Sequence, residues 1–233
     1  MNQKIKISDL FILLLGIPLV LTSCIGDDII NDRVDPMLRI INPIDTIAFD
    51  STYQFELSYL NNIGREEAVQ NVSWTSSAPN IIEVSTAGLA KGLMTGEAFL
   101  KAEVEIEGEM ISDELLVQVG EMTTAAVSER TGTIETTSFY TLEGSFTLSE
   151  VEGDMVLAIG DDWKASSNLP GLYVYLTNNP STTSGAYEIG EVTIFEGEHS
   201  YNLGNEVGLN DYEYVLYFCK PFNVKVGDGA FDN

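Results

Sequence analysis

The stretch KAEVEI, residues 101–106, decides the fold class. Ala102, Val104 and Ile106 alternate with Lys101, Glu103 and Glu105, so a backbone of period two sends one face to an apolar core and the other to water. That is the signature of a strand. The same alternation appears upstream, where Tyr53, Phe55, Leu57 and Tyr59 interleave with Gln54, Glu56 and Ser58. Turn residues such as Asn61-Asn62 and Ala87-Gly88 punctuate these runs at the spacing of a sandwich. Further along, the apolar segments are short: Met155 to Ile159, Leu172 to Leu176, Val192 to Phe195, Tyr212 to Phe218 and Phe222 to Val226. Each is bounded by Gly, Asn, Asp or Pro, and none has the length or 3.6-residue period of a helix. The reading is all-β, with two β-sandwich domains in tandem, the second open to being a small barrel.

The division between them is read from composition. Residues 121–137, EMTTAAVSERTGTIETT, hold six threonines and no aromatic residue, the mark of a linker or a loosely held strand. The first domain is therefore placed at 37–120 and the second at 138–233, each expected to fold by itself.

The N-terminus has the form of a cleaved secretory signal. Lys4 and Lys6 make a positive start, and Leu10 to Leu21 form an apolar run too short to span a bilayer. The run leads into Leu21-Thr22-Ser23-Cys24, which resembles the lipobox of bacterial lipoproteins. The resemblance implies cleavage after residue 23, a lipid on Cys24 and a tether over 24–36. Asp27-Asp28 just behind the cysteine resemble an export signal to the outer face of the outer membrane. Acyl chains contribute about 0.8 kcal/mol per buried methylene, so membrane attachment through several chains would be permanent.

Loss of residues 1–23 leaves 35 acidic and 9 basic side chains. Such an excess repels nucleic acid and anionic membrane surfaces, so nucleic acid is excluded as a partner. Calcium would suit the oxygen donors, yet no D-x-[DN]-x-[DN]-G loop exists, and Asp161-Asp162 with Asn168 make only a loose cluster.

Residues 72–104, VSWTSSAPNIIEVSTAGLAKGLMTGEAFLKAEV, resemble the bacterial immunoglobulin-like group 2 domain. The matching elements are Trp74 ahead of Ser76-Ser77, then Pro79, Ile82, Val84, Gly88-Leu89, Gly92-Leu93 and Gly96. The resemblance implies a spacer or adhesive module, with Trp74 in the core. In the second domain LEGSFTL (142–148), GDMVLAIGDDW (153–163), LPGLYVYLTNNP (169–180), GAYEIGEVTIFEGEHSYNL (185–203) and YEYVLYFCKPFNVKVG (212–227) resemble the DM-thirteen family. That resemblance implies electron transfer through the cysteine that stands here as Cys219, either as a bare thiol or as a ligand to haem or metal. Gly171 replaces the aspartate usual in the family's PDLYVYL-like segment.

Read from its own neighbours, Cys219 looks different. Both faces of Val215-Leu216-Tyr217-Phe218-Cys219 are apolar, so the strand is expected to be buried on both sides with the cysteine as a small hydrophobe. Residues 138–233 carry fifteen acidic side chains against Lys164, Lys220 and Lys225, with no arginine, which disfavours a thiolate. Lys220 is adjacent but expected on the opposite face. His199, the only histidine, reads as a surface residue at a turn or strand edge. There is no C-x-x-C, C-x-x-C-H, zinc spacing or G-x-S-x-G, so no catalytic constellation is expected. Two classes stay open: a redox module on a spacer with an electron partner, and a non-catalytic adhesion or ligand-binding lipoprotein.

Overall fold

The computed structural model describes residues 32–126 and 129–232. Cys24, the signal segment 1–23 and most of the 24–36 tether lie outside the described residues. The chain is all-β. Its first half contains β1 (Met37–Ile40), β2 (Ile44–Ala48), β3 (Thr52–Gln54), β4 (Leu57–Leu60), β5 (Ser73–Ser76), β6 (Ile82–Val84), β7 (Leu89–Gly92), β8 (Gly96–Ile106) and β9 (Glu109–Gly120), followed by the short β10 (Thr124–Ala125). The alternating stretch that decides the class forms the end of β8. It pairs with β9 from Gly96↔Val119 to Ile106↔Glu109. The larger sheet runs β10-β2-β9-β8-β5, and the smaller sheets are β3-β7-β6 and β1-β4. Between them Ile47, Ile82, Leu100, Ala102 and Val117 are buried in one core. Trp74 belongs to that core, its ring stacked on Phe55 with centroids 5.6 Å apart.

The second half is a single sheet. Its strands are β11 (Glu129–Thr136), β12 (Leu142–Val151), β13 (Asp154–Ile159), β14 (Lys164–Ala165), β15 (Leu172–Thr177), β16 (Tyr187–Glu191), β17 (His199–Gly204), β18 (Tyr214–Cys219) and β19 (Val224–Ala230). They run in the order β16-β15-β18-β19-β11-β12-β13-β17, with β14 attached to β12. Side chains from strands far apart in that order share one core, among them Leu157, Phe146, Val174, Val215 and Tyr217, so the sheet curves around its own inner face.

The 121–137 stretch is where the expected boundary needs correction. Residues 129–136 are β11, an interior strand between β19 and β12, so the second half begins before residue 138. Its inward positions are Arg130, Gly132 and Ile134. A buried arginine and a glycine at two of three core positions hid the alternation. Gly132 has a packing reason: a Cβ there would meet the Phe146 ring and the Ala230 carbonyl, and one at Gly229 would meet the same ring. Phe146 thus fills the space that two glycines leave on neighbouring strands.

The halves are also joined. Residues 32–233 form one compact unit. Arg39 of β1 and Arg130 of β11 both pair with Glu213, and all three side chains are nearly buried. Arg39 Nη1 donates to the Asn210 carbonyl at 3.0 Å, Arg130 Nη1 to the Tyr212 carbonyl at 2.8 Å, and Asn210 Nδ2 to the Ile41 carbonyl at 3.1 Å.

Candidate functional site

Cys219 ends β18, paired with Leu172 on one side and Val224 on the other. Strand alternation puts Val215, Tyr217 and Cys219 on the inner face, while Leu216 and Phe218 pack with Tyr175 on the outer one. The expectation of a strand apolar on both faces matches this arrangement. The sulfur is 4% exposed by residue, and its S–H donates to the Pro170 carbonyl at 3.1 Å. The next peptide is held too, because Lys220 N–H donates to the Gly171 carbonyl at 3.0 Å. Gly171 sits at φ +64, and a Cβ there would lie 2.8 Å from the Pro221 ring. Glycine at this position lets the 170–171 turn close over the cysteine. An aspartate would need both the left-handed backbone and displacement of Pro221.

The chain leaves β18 through a 3₁₀ turn at Lys220–Phe222 that ends on Asn223 in left-handed conformation. The turn aims Lys220 outward, where Nζ lies 2.7 and 2.8 Å from the Glu188 carboxylate and 4.5 Å from the centre of the Tyr173 ring. Lys220 holds Glu188 below the usual carboxylate range, and burial with a hydrogen bond to Glu188 pushes Tyr175 up to about 12. The one cation near Cys219 in sequence is therefore committed to the opposite face.

These surroundings do not fit a haem or metal site at Cys219. A ligating sulfur needs an open face toward the iron and further donors around it. The sulfur is instead capped by a carbonyl, and no group of three His, Cys, Asp or Glu side chains able to hold a metal ion occurs among the described residues. Asp162, considered above for calcium, is already engaged: its Oδ1 accepts from both the N–H and the hydroxyl of Ser145 at 2.8 Å. Those two bonds hold its carboxyl below the ordinary range.

His199 differs from the expected surface residue. It starts the edge strand β17, yet its ring packs against Trp163 at 5.8 Å and Tyr201 at 5.3 Å. Its Nδ1 lies 3.0 Å from the Gly197 carbonyl, which only accepts, so Nδ1–H donates there and Nε2 is left outside this bond. That Nε2 is buried without a hydrogen-bond partner among the described residues, as is the hydroxyl of Tyr217. Trp163 lies between these groups, 5.0 Å from Tyr217, and donates Nε1–H to the Ile194 carbonyl at 2.9 Å. Complete burial raises the Tyr217 phenol well above its ordinary value. Trp163 and Tyr217 belong to the core of this half, with Tyr201 packed against it.

Sequence reasoning missed the Arg39–Glu213–Arg130 cluster. Burial, with the neighbouring Arg39 charge, pushes Arg130 down to about 10, and burial lowers Arg39 as well. A carboxylate at Glu213 supplies the counter-charge to both. The available signal was a lone glutamate opening the apolar run at 213–219 and a lone arginine inside a threonine-rich stretch.

No family model matches the chain, and no curated protein matches it. Among solved structures, one similar chain is the surface layer protein SbsC, domains 1–6, at 10% sequence identity and a TM-score of 0.27. The match covers 87% of this chain and 40% of that one.

Proposed function

We propose that this chain is a non-catalytic binding lipoprotein, anchored through Cys24 in the outer membrane and displayed to the cell exterior. In this reading the immunoglobulin-like first half and the DM-thirteen-like second half act together as a rigid presenting body. The observation that supports it is the setting of Cys219, buried with its S–H on the Pro170 carbonyl and its sequence-adjacent cation paired with Glu188 on the other face. A nucleophilic or electron-donating thiol needs access and a stabilised thiolate. A packing cysteine needs neither.

The test uses the full-length protein purified from its own host in detergent. Expected are a lipid-modified Cys24 by mass spectrometry, loss of detergent partitioning in Cys24→Ala, and cleavage by external protease in intact cells. Cys219 should label with a thiol probe only after denaturation, and the native protein should lack a visible chromophore that Cys219→Ser removes. Rapid native labelling at pH 7, or such a chromophore, would replace this reading with the redox one.

A further inference from the structure

The two halves meet at a cleft of about 410 Å³, walled by residues 58–66 of the first half and by 178–185 and 210–212 of the second. This volume falls in the range of ligand sites, about 300–1,000 Å³. Ile41, Leu60 and Ile63 are its aliphatic lining residues. Tyr212 gives it an aromatic wall, with Tyr187 packed against that ring at 6.5 Å. Asp32, Arg65, Glu66 and Asp211 also line the cleft. Asp211 is held in place, because one of its oxygens accepts the Gly208 N–H at 2.6 Å. Arg65 makes no ion pair with any described carboxylate.

The ligand class follows from what these groups can and cannot do. A guanidinium only donates hydrogen bonds and a carboxylate only accepts them. An occupant serving both must donate and accept at neighbouring atoms, and must lay an apolar face on Ile41, Leu60 and Tyr212. An anion would face Asp32, Glu66 and Asp211 on a chain of formal net charge −25. A cation would be drawn by those carboxylates but would compete for them with the Arg65 guanidinium already there. An extended peptide would need a free strand edge, but the edge of β4 is covered at this point: Leu60 bridges to Glu66, and Glu67 N–H donates to the Tyr59 carbonyl at 3.0 Å. Vicinal hydroxyls on a pyranose meet every requirement, with C–H bonds on one face and donor-acceptor groups at the rim.

We infer that this cleft binds a short uncharged glycan, its C–H face on Tyr212 and its hydroxyls between Arg65 and Asp211. The inference rests on the binding-protein reading and names its ligand class. It is tested by applying the full-length protein in detergent to an array of uncharged, sialylated and sulfated oligosaccharides, with basic peptides printed alongside. Retention should be confined to the uncharged class. Arg65→Ala and Tyr212→Ala should each weaken it roughly tenfold, the effect of truncating an anchoring residue. Ser184→Trp, at an exposed lining position, should block the cleft and abolish retention without lowering the melting temperature. Retention of only anionic glycans or only basic peptides would overturn the inference. So would an array on which no uncharged glycan is held, or binding that survives Ser184→Trp. Native labelling of Cys219 would remove the non-catalytic reading while leaving the array result standing, so the two failures are separable.

Discussion

Glu213→Gln should be the most damaging single substitution at the join between the halves. Glu213 stands between Arg39 and Arg130, with side chains at 13%, 8% and 8% relative exposure for Arg39, Glu213 and Arg130. Glutamine keeps the volume but removes the negative charge, leaving two guanidiniums confronting one another away from water. Breaking a buried ion pair by removing one partner costs about 3–5 kcal/mol. For a unit of this size each kcal/mol lowers the melting temperature by about 2–4 °C, so the expected fall is roughly 6–20 °C. Circular dichroism melts of the variant and the parent at pH 7 measure it. The carbonyls of Asn210 and Tyr212 still accept from the arginines in Glu213→Gln, so the loss isolates the charge. Arg39→Met in the same background should recover part of it, because one uncompensated cation is then gone. A fall below about 2 °C would refute the reasoning, as would a second-half transition that keeps its parental midpoint while the first half alone is affected.

A fragment of residues 129–233 should show a cooperative melt, less stable than the whole unit, whereas 138–233 should not, since it lacks β11 and with it the partner of both β12 and β19. Hydrogen exchange on the two fragments compares them directly. Gly132→Ala should destabilise by about 1–3 kcal/mol through overpacking against Phe146, and Phe146→Leu in the same chain should return part of that loss in urea unfolding. Ser145→Ala should raise the Asp162 carboxyl toward its ordinary value, seen by NMR titration. The folded-state value is the depressed one, so the Ser145–Asp162 bonds contribute fully above the unfolded value of about 4 and are lost as pH falls through the lower folded value. The variant should therefore match the parent more closely in acid than at pH 7.

The β-class and much of the strand placement were legible because a half-buried strand writes its geometry locally: period two in KAEVEI comes from side chains that alternate between core and water whatever the strand pairs with. The burial of the Cys219 strand on both faces was legible from its unbroken apolar run, whereas the outward aim of Lys220, expected from strand alternation, comes from the 3₁₀ turn that follows the strand. What stayed hidden depends on partners distant in the chain. β11 carries arginine and glycine at inward positions, and both make sense only once Glu213 and Phe146 stand opposite them. The carbonyl on the Cys219 thiol comes from Pro170, and the junction cleft draws its walls from both halves. Hydropathy along the sequence reports whether a residue prefers burial. Which charge compensates a buried charge, and which surfaces meet to make a cleft, are decided by contacts between segments far apart in sequence, and only the tertiary structure holds them.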